Sequence, residues 1–304
     1  MSPTGQLDPA AVRRALRAAG LRARRSLSQN FLVDVEILEA ILAEAAPQPG
    51  DTVLEIGPGL GVLTEALLEA GAEVIAVELD PGMVAALRDR LGDALERGRE
   101  EGAPGGLRLV EGDVLDLDLP GLVGPRYDVV ANIPYHVTSP ILHRLLGSPP
   151  RPGRVVLMVQ REVAERIAAA PGAMSYLAVF CQYHARVRLA RVVPPAAFEP
   201  APAVDSAIVV LGPYAPDDPD APPRVGEDEE DELWRLVQAA FRERRKMLHN
   251  VLRRQLPGVA DRVPAALATA GIDGDRRPQT LAVDEWIRLL RALGPLPTPG
   301  GSRR

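Results

Sequence analysis

The sequence predicts an α/β fold, in which helices cover both faces of a parallel sheet and a small all-α domain follows. From residue 51 onward, strand-like and helix-like patterns alternate along the chain. Strand-like segments such as 155–159 are apolar throughout, which is typical of strands buried on both faces. After residue 212 only helical periodicity is found. These observations place the sheet before residue 212 and the helical domain after it.

Two helices are predicted ahead of the sheet. Asp8-Pro9 begins a helix that Gly20 ends, because Asp is a favoured N-cap and Gly a common stop signal. The polar-aromatic segment 26–32 has no helical period, and Asp34 is then placed to cap a second helix that runs to Ala46.

The central region alternates strands and helices. The predicted strands are 52–56, 73–77, 107–111, 127–131 and 154–159, and the predicted helices are 62–70, 81–97, 138–147 and 160–169. Two further strands, about 184–193 and 206–211, flank a proline-rich loop.

The C-terminal part begins with a linker rich in Pro and Asp, from Gly212 to Glu227. A long helix from about Asp228 to Arg254 follows, and segments 263–270 and 281–293 also have helical periodicity. We therefore predict four parts, which are an N-terminal helical extension (1–23), a sheet domain (24–212), a small helical domain (213–293) and a disordered tail (294–304).

Composition excludes several functional classes. No apolar run approaches the roughly 20 residues that cross a bilayer, and the N-terminal residues lack a secretory pattern. The single cysteine, Cys181, excludes an intramolecular disulfide and lies in an apolar stretch, so we expect a buried core thiol in a cytoplasmic protein. The four histidines show no metal-ligand spacing, and we expect no metal.

The net charge is −6, yet the cations are clustered. They concentrate in residues 13–25, 186–191 and 242–254. In the last cluster, Arg242, Lys246, His249 and Arg253 are spaced by four, three and four, so one continuous helix would align them as a cationic stripe. We expect this stripe to contact RNA phosphates, with a solvated helix face as the alternative.

A glycine-rich turn follows the first buried strand of the sheet. Gly57, Gly59 and Gly61 allow close approach of a ligand to the backbone, but Val62 stands where a dinucleotide fingerprint has its third glycine. This favours a smaller nucleoside ligand such as S-adenosylmethionine over NAD. Glu78 ends the next strand, where a carboxylate suits the hydroxyls of a ribose. The alternative is a structural turn and a solvated glutamate.

A second motif, Asn132-Ile-Pro-Tyr135, follows the strand 127–131. An exocyclic base amine is a poor nucleophile because its lone pair is delocalised into the ring. An amide oxygen and a main-chain carbonyl that accept its two N–H bonds would hold the nitrogen towards a sulfonium methyl. Tyr135 would stack on the base. The alternative is a cis-proline or tight turn with a buried tyrosine.

Asp113 ends the third strand of the sheet. We expect it either to reach the adenine amine of the cofactor or to act as an ordinary N-cap.

Together these motifs resemble the rRNA adenine N6,N6-dimethyltransferase family. The resemblance covers about Arg24 to Leu290 and rests on Ser28-Gln-Asn-Phe-Leu32, Leu54-Glu-Ile-Gly-Pro-Gly-Leu-Gly61, Val77-Glu-Leu-Asp80, Gly112-Asp113, Asn132-Ile-Pro-Tyr135, Pro195-Ala-Ala-Phe198, Val204-Asp-Ser206 and Phe241-Arg-Glu-Arg-Arg-Lys246. It implies a Rossmann-like methyltransferase sheet, S-adenosylmethionine as cofactor and rRNA as substrate.

The resemblance also implies roles for individual residues. It places Asn30, Leu32, Gly57, Glu78, Asp113 and Asn132 around the S-adenosylmethionine. It gives Asn132, Tyr135 and Phe198 to the target base, with Phe198 as a second aromatic face opposite Tyr135. Two positions depart from the usual pattern, since Ser28 replaces a glycine and Ala203 replaces a lysine.

Two branches of the family share the Asn-Ile-Pro-Tyr core. Residues 241–250 and 277–286 resemble the small-subunit branch (KsgA type), which dimethylates two adjacent adenosines near the 3′ end of 16S rRNA. A 23S rRNA methyltransferase that confers macrolide resistance is the first alternative, and a ribosome-assembly factor with dispensable catalysis is the second. We expect the protein to act as a monomer on 16S rRNA within the small ribosomal subunit.

Overall fold

The computed structural model describes residues 7–24, 29–98, 105–133, 137–215 and 217–297, without the side chains of residues 227 and 228. Its strands are β1 (Phe31–Leu32), β2 (Thr52–Ile56), β3 (Glu73–Glu78), β4 (Leu107–Glu111), β5 (Asp128–Asn132), β6 (Val155–Gln160), β7 (Ala185–Val193), β8 (Phe198–Glu199) and β9 (Ser206–Pro213). Its helices are α1 (Pro9–Ala18), α2 (Val35–Ala45), α3 (Val62–Glu69), α4 (Pro81–Arg90), α5 (Gly92–Arg97), α6 (Leu119–Val123), α7 (Thr138–Gly147), α8 (Arg161–Ile167), α9 (Tyr176–His184), α10 (Glu227–Phe241), α11 (Leu248–Gln255), α12 (Val263–Thr269) and α13 (Val283–Leu293).

The main sheet has seven strands in the order β4-β3-β2-β5-β6-β9-β7. The pairs from β4 to β6 are parallel, with Val53 opposite Val74 on one side and Asp128 on the other. β9 is antiparallel to β6, so the sheet is mixed rather than purely parallel as expected. The chain passes from β7 to β9 through the short strand β8, without the crossover α-helix that usually joins parallel strands. The predicted α/β class is confirmed.

The N-terminal helices begin where the sequence predicts. The Asp8 carboxylate accepts from the Ala10 amide, and the Asp34 carboxylate accepts from the Ile37 amide at 3.2 Å. These bonds satisfy N–H groups that a helix leaves without an internal partner.

The chain divides into two compact units, residues 1–164 with 186–213 and residues 165–185 with 214–304. Segment 165–185 groups with the helical unit, whereas the sequence places it in the sheet domain. The reason is its apolar side chains, since Met174, Ala178 and Tyr183 pack in the core of the second unit with Leu236. Order also continues past residue 293, where Leu296 is 5% exposed.

The prediction of one helix from 228 to 254 is wrong. α10 ends at Phe241, residues 242–246 form turns, and α11 begins at Leu248 after an extended Met247. The first amides of α11 are satisfied from another part of the unit, because the Leu248 N–H donates to the Arg276 carbonyl. The cationic stripe is therefore not one helix face. The predicted helix 81–97 is likewise divided at Leu91 into α4 and α5.

Candidate active site

A pocket lies at the carboxyl ends of β2, β3 and β5, the edge where α/β sheets bind ligands. It brings together all six residues that the resemblance assigns to the cofactor, which are Asn30, Leu32, Gly57, Glu78, Asp113 and Asn132. They come from distant parts of the sequence, and the parallel register of the strands sets their tips side by side.

Residues 57–60 of the glycine-rich turn line this pocket. Gly57 has a φ of +71°, a left-handed conformation that favours glycine, and its N–H donates to the Val77 carbonyl at 2.9 Å. A Cβ at Gly59 would lie 3.1 Å from the Phe31 ring, so that ring packs directly on the turn. Arg90 in α4 holds the end of the turn next to α3, because its guanidinium donates to the Leu60 carbonyl and pairs with Glu65 at 2.6 Å.

Glu78 is 7% exposed and lines the pocket. One of its carboxylate oxygens accepts from the Gly59 N–H at 3.1 Å, and the other accepts from the Asp80 N–H at 2.8 Å. Burial raises the pKa of Glu78, while these backbone bonds lower it. A carboxylate has about four acceptor positions, so acceptor capacity is left for a pair of ribose hydroxyls.

Glu55 also lines the pocket, although the sequence patterns predicted no role for it. It is 1% exposed, and its carboxyl accepts from the Thr64 hydroxyl at 2.6 Å. Burial raises the pKa of Glu55 to about 8, against the opposing effect of the Thr64 bond. The available signal was its position as the one charged residue of the apolar strand 52–56.

Asn132 stands at the end of β5, within the pocket lining. Its side-chain Nδ2 donates to the Asn30 carbonyl at 3.2 Å. This bond fixes the orientation of the amide and leaves Oδ1 as its acceptor. Tyr135, with residues 134–136, lies outside the described residues, and so does Ser28.

Phe198 is not among the described residues that line the pocket. It is 3% exposed, because its ring packs in the core of the first unit. Its backbone is nevertheless next to the site, because β8 pairs antiparallel with β1 and Phe198 stands opposite Leu32, which lines the pocket. Its proposed contact with the base stays a prediction.

The contact of Asp113 with the adenine amine of the cofactor stays a prediction. The Asp113 carboxylate accepts from the Leu115 N–H at 2.9 Å within a turn, and the next helix, α6, begins only at Leu119. Asp113 also lines the pocket. The adjacent Gly112 N–H donates to the Glu78 carbonyl at 2.9 Å, so the tips of β3 and β4 are tied together.

The predicted RNA-contact residues lie in the second unit and are exposed. Arg242 ends α10 and donates to the Gln255 side chain at 3.1 Å, Lys246 lies in the turn, and Arg253 lies in α11. Among the residues that the structure describes, no group of three His, Cys, Asp or Glu side chains is arranged to hold a metal ion.

Cys181 is fully buried and its burial raises the thiol pKa, which confirms the expectation of a core residue. No helix in the described ranges has the length and apolar character needed to cross a membrane.

Comparisons with known proteins show what the chain as a whole is similar to. The chain is 39% identical to the ribosomal RNA small subunit methyltransferase A of Geobacter metallireducens over 91% of this chain and 98% of that protein. A dimethyladenosine transferase from Plasmodium falciparum superposes with a TM-score of 0.66 at 26% identity, covering 86% of this chain and 96% of that one. The 23S rRNA methyltransferase ErmE also gives 0.66, at 28% identity over 87% and 99% of the two chains.

The model of the ribosomal RNA adenine dimethylase family matches residues 20–293. That range contains the glycine-rich turn, Glu78 and the Asn132 motif. The chain therefore belongs to the ribosomal RNA adenine dimethylase family.

Proposed function

We propose that this enzyme uses S-adenosylmethionine to dimethylate the N6 amines of two adjacent adenosines near the 3′ end of 16S rRNA, within the small ribosomal subunit. The observation that carries the proposal is the oriented amide of Asn132. Its Nδ2 is held by the Asn30 carbonyl, and it lies in one pocket with Gly57 and Glu78.

The pocket residues fit this cofactor. Glu78 supplies acceptors for ribose hydroxyls, and Asp113 supplies one for the adenine amine. Leu32, Val114 and Leu115 line the same pocket and supply apolar surface for the adenine ring. The backbone at Gly57 is open, because the nearest atom to a Cβ added there is the Asn132 carbonyl oxygen at 3.9 Å. This leaves space for the part of the cofactor that carries the methyl group. When bound, S-adenosylmethionine supplies an electrophilic methyl on a positively charged sulfur.

The protein's contribution to the reaction is mainly positioning. Asn132 Oδ1 accepts one N–H of the target amine, and a neighbouring main-chain carbonyl accepts the other. The nitrogen is thereby held in line for direct displacement. An amide does not titrate near neutrality, so Asn132 acts as an acceptor rather than a base. Each transfer would form one N6–carbon bond as the methyl–sulfur bond breaks, with the electron pair of the broken bond left on a neutral thioether and one proton passing from the amine to solvent. Dimethylation requires two such transfers.

The small-subunit branch is favoured over the 23S alternative. The curated relative that is 39% identical over nearly all of its length carries the small-subunit name. The structural comparison does not separate the branches, because the dimethyladenosine transferase and the 23S rRNA methyltransferase superpose equally well. We propose that the protein works as a monomer on ribosomal particles in the cytoplasm, and the single, buried cysteine is in keeping with such a reducing compartment.

The test compares both ribosomal subunits as substrates. Small and large subunits from an undermethylated strain are incubated separately with the enzyme and labelled S-adenosylmethionine, and the modified bases are mapped. We expect label on two adjacent adenosines near the 3′ end of 16S rRNA. Label on the large subunit alone would contradict the branch assignment.

We also propose a role in assembly of the small subunit, through binding to the particle that the enzyme methylates. It is separable from catalysis with the Asn132→Ala variant. If assembly of small subunits in cells is restored by this variant as well as by the wild type, binding is sufficient for that role. If only the wild type restores it, methylation itself is required.

A further inference from the structure

The helix α1 carries a basic face that the proposed catalytic mechanism does not use. Arg13, Arg14 and Arg17 are exposed on one side, while Val12 and Leu16 are buried on the other. Residues 7–24 contain five arginines and one aspartate, in a chain whose net charge is −6. This concentration of cations points towards an anionic partner.

The basic face has a fixed direction because α1 is anchored on the first unit. Val12 and Leu16 pack in a small core with Phe31, Leu60 and Met83. Asp8 caps the start of the helix, and Arg13 pairs with Glu199 of β8 at 3.0 Å. An arginine array that is held in place loses less conformational entropy on binding than one on a free tail.

The anchoring residues also locate α1 relative to the active site. Phe31 and Leu60, which pack in the same small core as the α1 residues, both line the cofactor pocket. α1 lies against β8, the strand that contains Phe198. The buried face of α1 therefore packs against residues that line the cofactor pocket, and its arginines lie on the exposed side of the helix.

We propose that α1 binds the phosphate backbone of the substrate RNA through Arg14 and Arg17. This inference rests on the proposed function and adds an RNA-contact surface on the catalytic unit. The contact is to phosphate rather than to bases, because exposed guanidinium groups recognise phosphate without regard to sequence. The match to the family model begins at residue 20, after the end of α1.

Arg14 and Arg17 are the residues to change. Arg13 pairs with Glu199 at 3.0 Å, whereas the ion pair of Arg14 with Asp8 is 3.9 Å long and joins two largely exposed side chains. The double variant Arg14→Gln, Arg17→Gln removes two charges from the exposed face. Arg88→Gln, Arg126→Gln is the matched control, since both of its arginines are exposed on the same unit and neither lines the pocket. Binding to unmethylated small subunits is measured over a range of salt concentrations.

We expect the α1 variant to bind more weakly, and its log–log salt slope should fall by about 0.7 to 0.9 for each phosphate that it no longer neutralises. The control should keep the wild-type slope. Arg14→Lys, Arg17→Lys should restore the slope, because the charge is kept. Affinity for S-adenosylmethionine, measured by calorimetry, should stay unchanged in every variant and shows that each is folded.

An α1 variant with the wild-type slope would overturn the proposal, and so would a control whose slope falls as much as that of the α1 variant. Failure of the proposed function gives a different result, namely that wild-type enzyme does not methylate small subunits. Loss of methylation at limiting RNA, with recovery at saturating RNA, is the expected kinetic signature of the α1 variant.

Discussion

Glu78 and Glu55 are two buried carboxyl groups at one pocket with different partners. Glu78 accepts from two backbone amides, whereas Glu55 accepts from one hydroxyl. Burial raises the pKa of both groups. Glu78 accepts hydrogen bonds from more donors than Glu55 does, and such bonds favour the charged form. Glu78 is therefore suited to act as a charged acceptor, and Glu55 is suited to carry a proton.

Glu78→Ala should weaken cofactor binding. A hydrogen bond to a charged group contributes about 1.5–3 kcal/mol, and each 1.4 kcal/mol is about tenfold in affinity. The variant also frees the Gly59 and Asp80 amides, so Glu78→Gln, which keeps one acceptor oxygen, should be less impaired. Calorimetry with S-adenosylmethionine measures both, and chemical denaturation checks that they fold. Unchanged affinity in Glu78→Ala would refute the assignment.

Glu55→Gln should change how stability depends on pH. The pKa of Glu55 is about 8 in the folded protein and 4.5 is its ordinary value, so the folded state keeps a proton that the unfolded chain loses. Its favourable contribution is complete below the ordinary pKa and is lost as the pH rises towards 8. Between these values the wild type should lose up to about 1.4 kcal/mol per pH unit relative to Glu55→Gln. If the free energies of unfolding of wild type and Glu55→Gln, measured by denaturation, change equally with pH, this prediction is contradicted.

Asn132→Ala should abolish or severely reduce methylation while RNA affinity persists, because arginines elsewhere supply most of the binding. Asn132→Asp is the informative companion, since it keeps an acceptor oxygen but places a carboxylate against the Asn30 carbonyl. Tyr135→Ala should be milder, as one stacking face contributes about 1–3 kcal/mol. Single-turnover methylation of small subunits is measured beside RNA binding. A near wild-type rate for Asn132→Ala would show that the catalytic centre lies elsewhere.

Among the secondary-structure elements, sequence reasoning succeeded where the signal is local. The caps at Asp8 and Asp34, and the strands that precede Gly57 and Glu78, were predicted because period and capping residues lie within a few positions. The break after Phe241 was missed because distant carbonyls at residues 274 and 276 satisfy the first amides of α11. The burial of Phe198 was missed for the same reason, since it depends on the pairing of β8 with β1.

The turn between α10 and α11, together with Arg253 of α11, replaces the predicted stripe as the second proposed RNA-contact element. Changing Arg242, Lys246 and Arg253 together to Gln should weaken RNA binding and lower the salt slope by about 0.7 to 0.9 per phosphate released. Arg166→Gln, an exposed arginine of the same unit, is the control. Cofactor affinity should stay unchanged. If the slope does not fall, the turn is only a solvated surface.

On the scale of the whole molecule, the two units have separate cores. Leu32, Val156 and Phe198 belong to the core of the first unit, while Leu236, Leu248 and Trp286 belong to that of the second. All six proposed cofactor residues lie in the first unit, and the proposed RNA residues of the α10–α11 turn lie in the second. The cofactor should therefore stabilise the first unit, and damage to the second core should leave cofactor binding intact.

Leu290→Ala tests this separation. Leu290 is 2% exposed in the second core, and truncation of such a leucine costs about 2–5 kcal/mol. Hydrogen exchange should show faster exchange in residues 214–297, while calorimetry gives wild-type affinity for S-adenosylmethionine. Leu145→Ala, at a 1% exposed position of the first unit, should instead speed exchange in the sheet. Saturation with S-adenosylmethionine at about a hundred times its Kd should recover about 2.7 kcal/mol there. If Leu290→Ala weakens cofactor binding as much as Leu145→Ala does, the two cores are energetically coupled and the cofactor stabilises the molecule as one body.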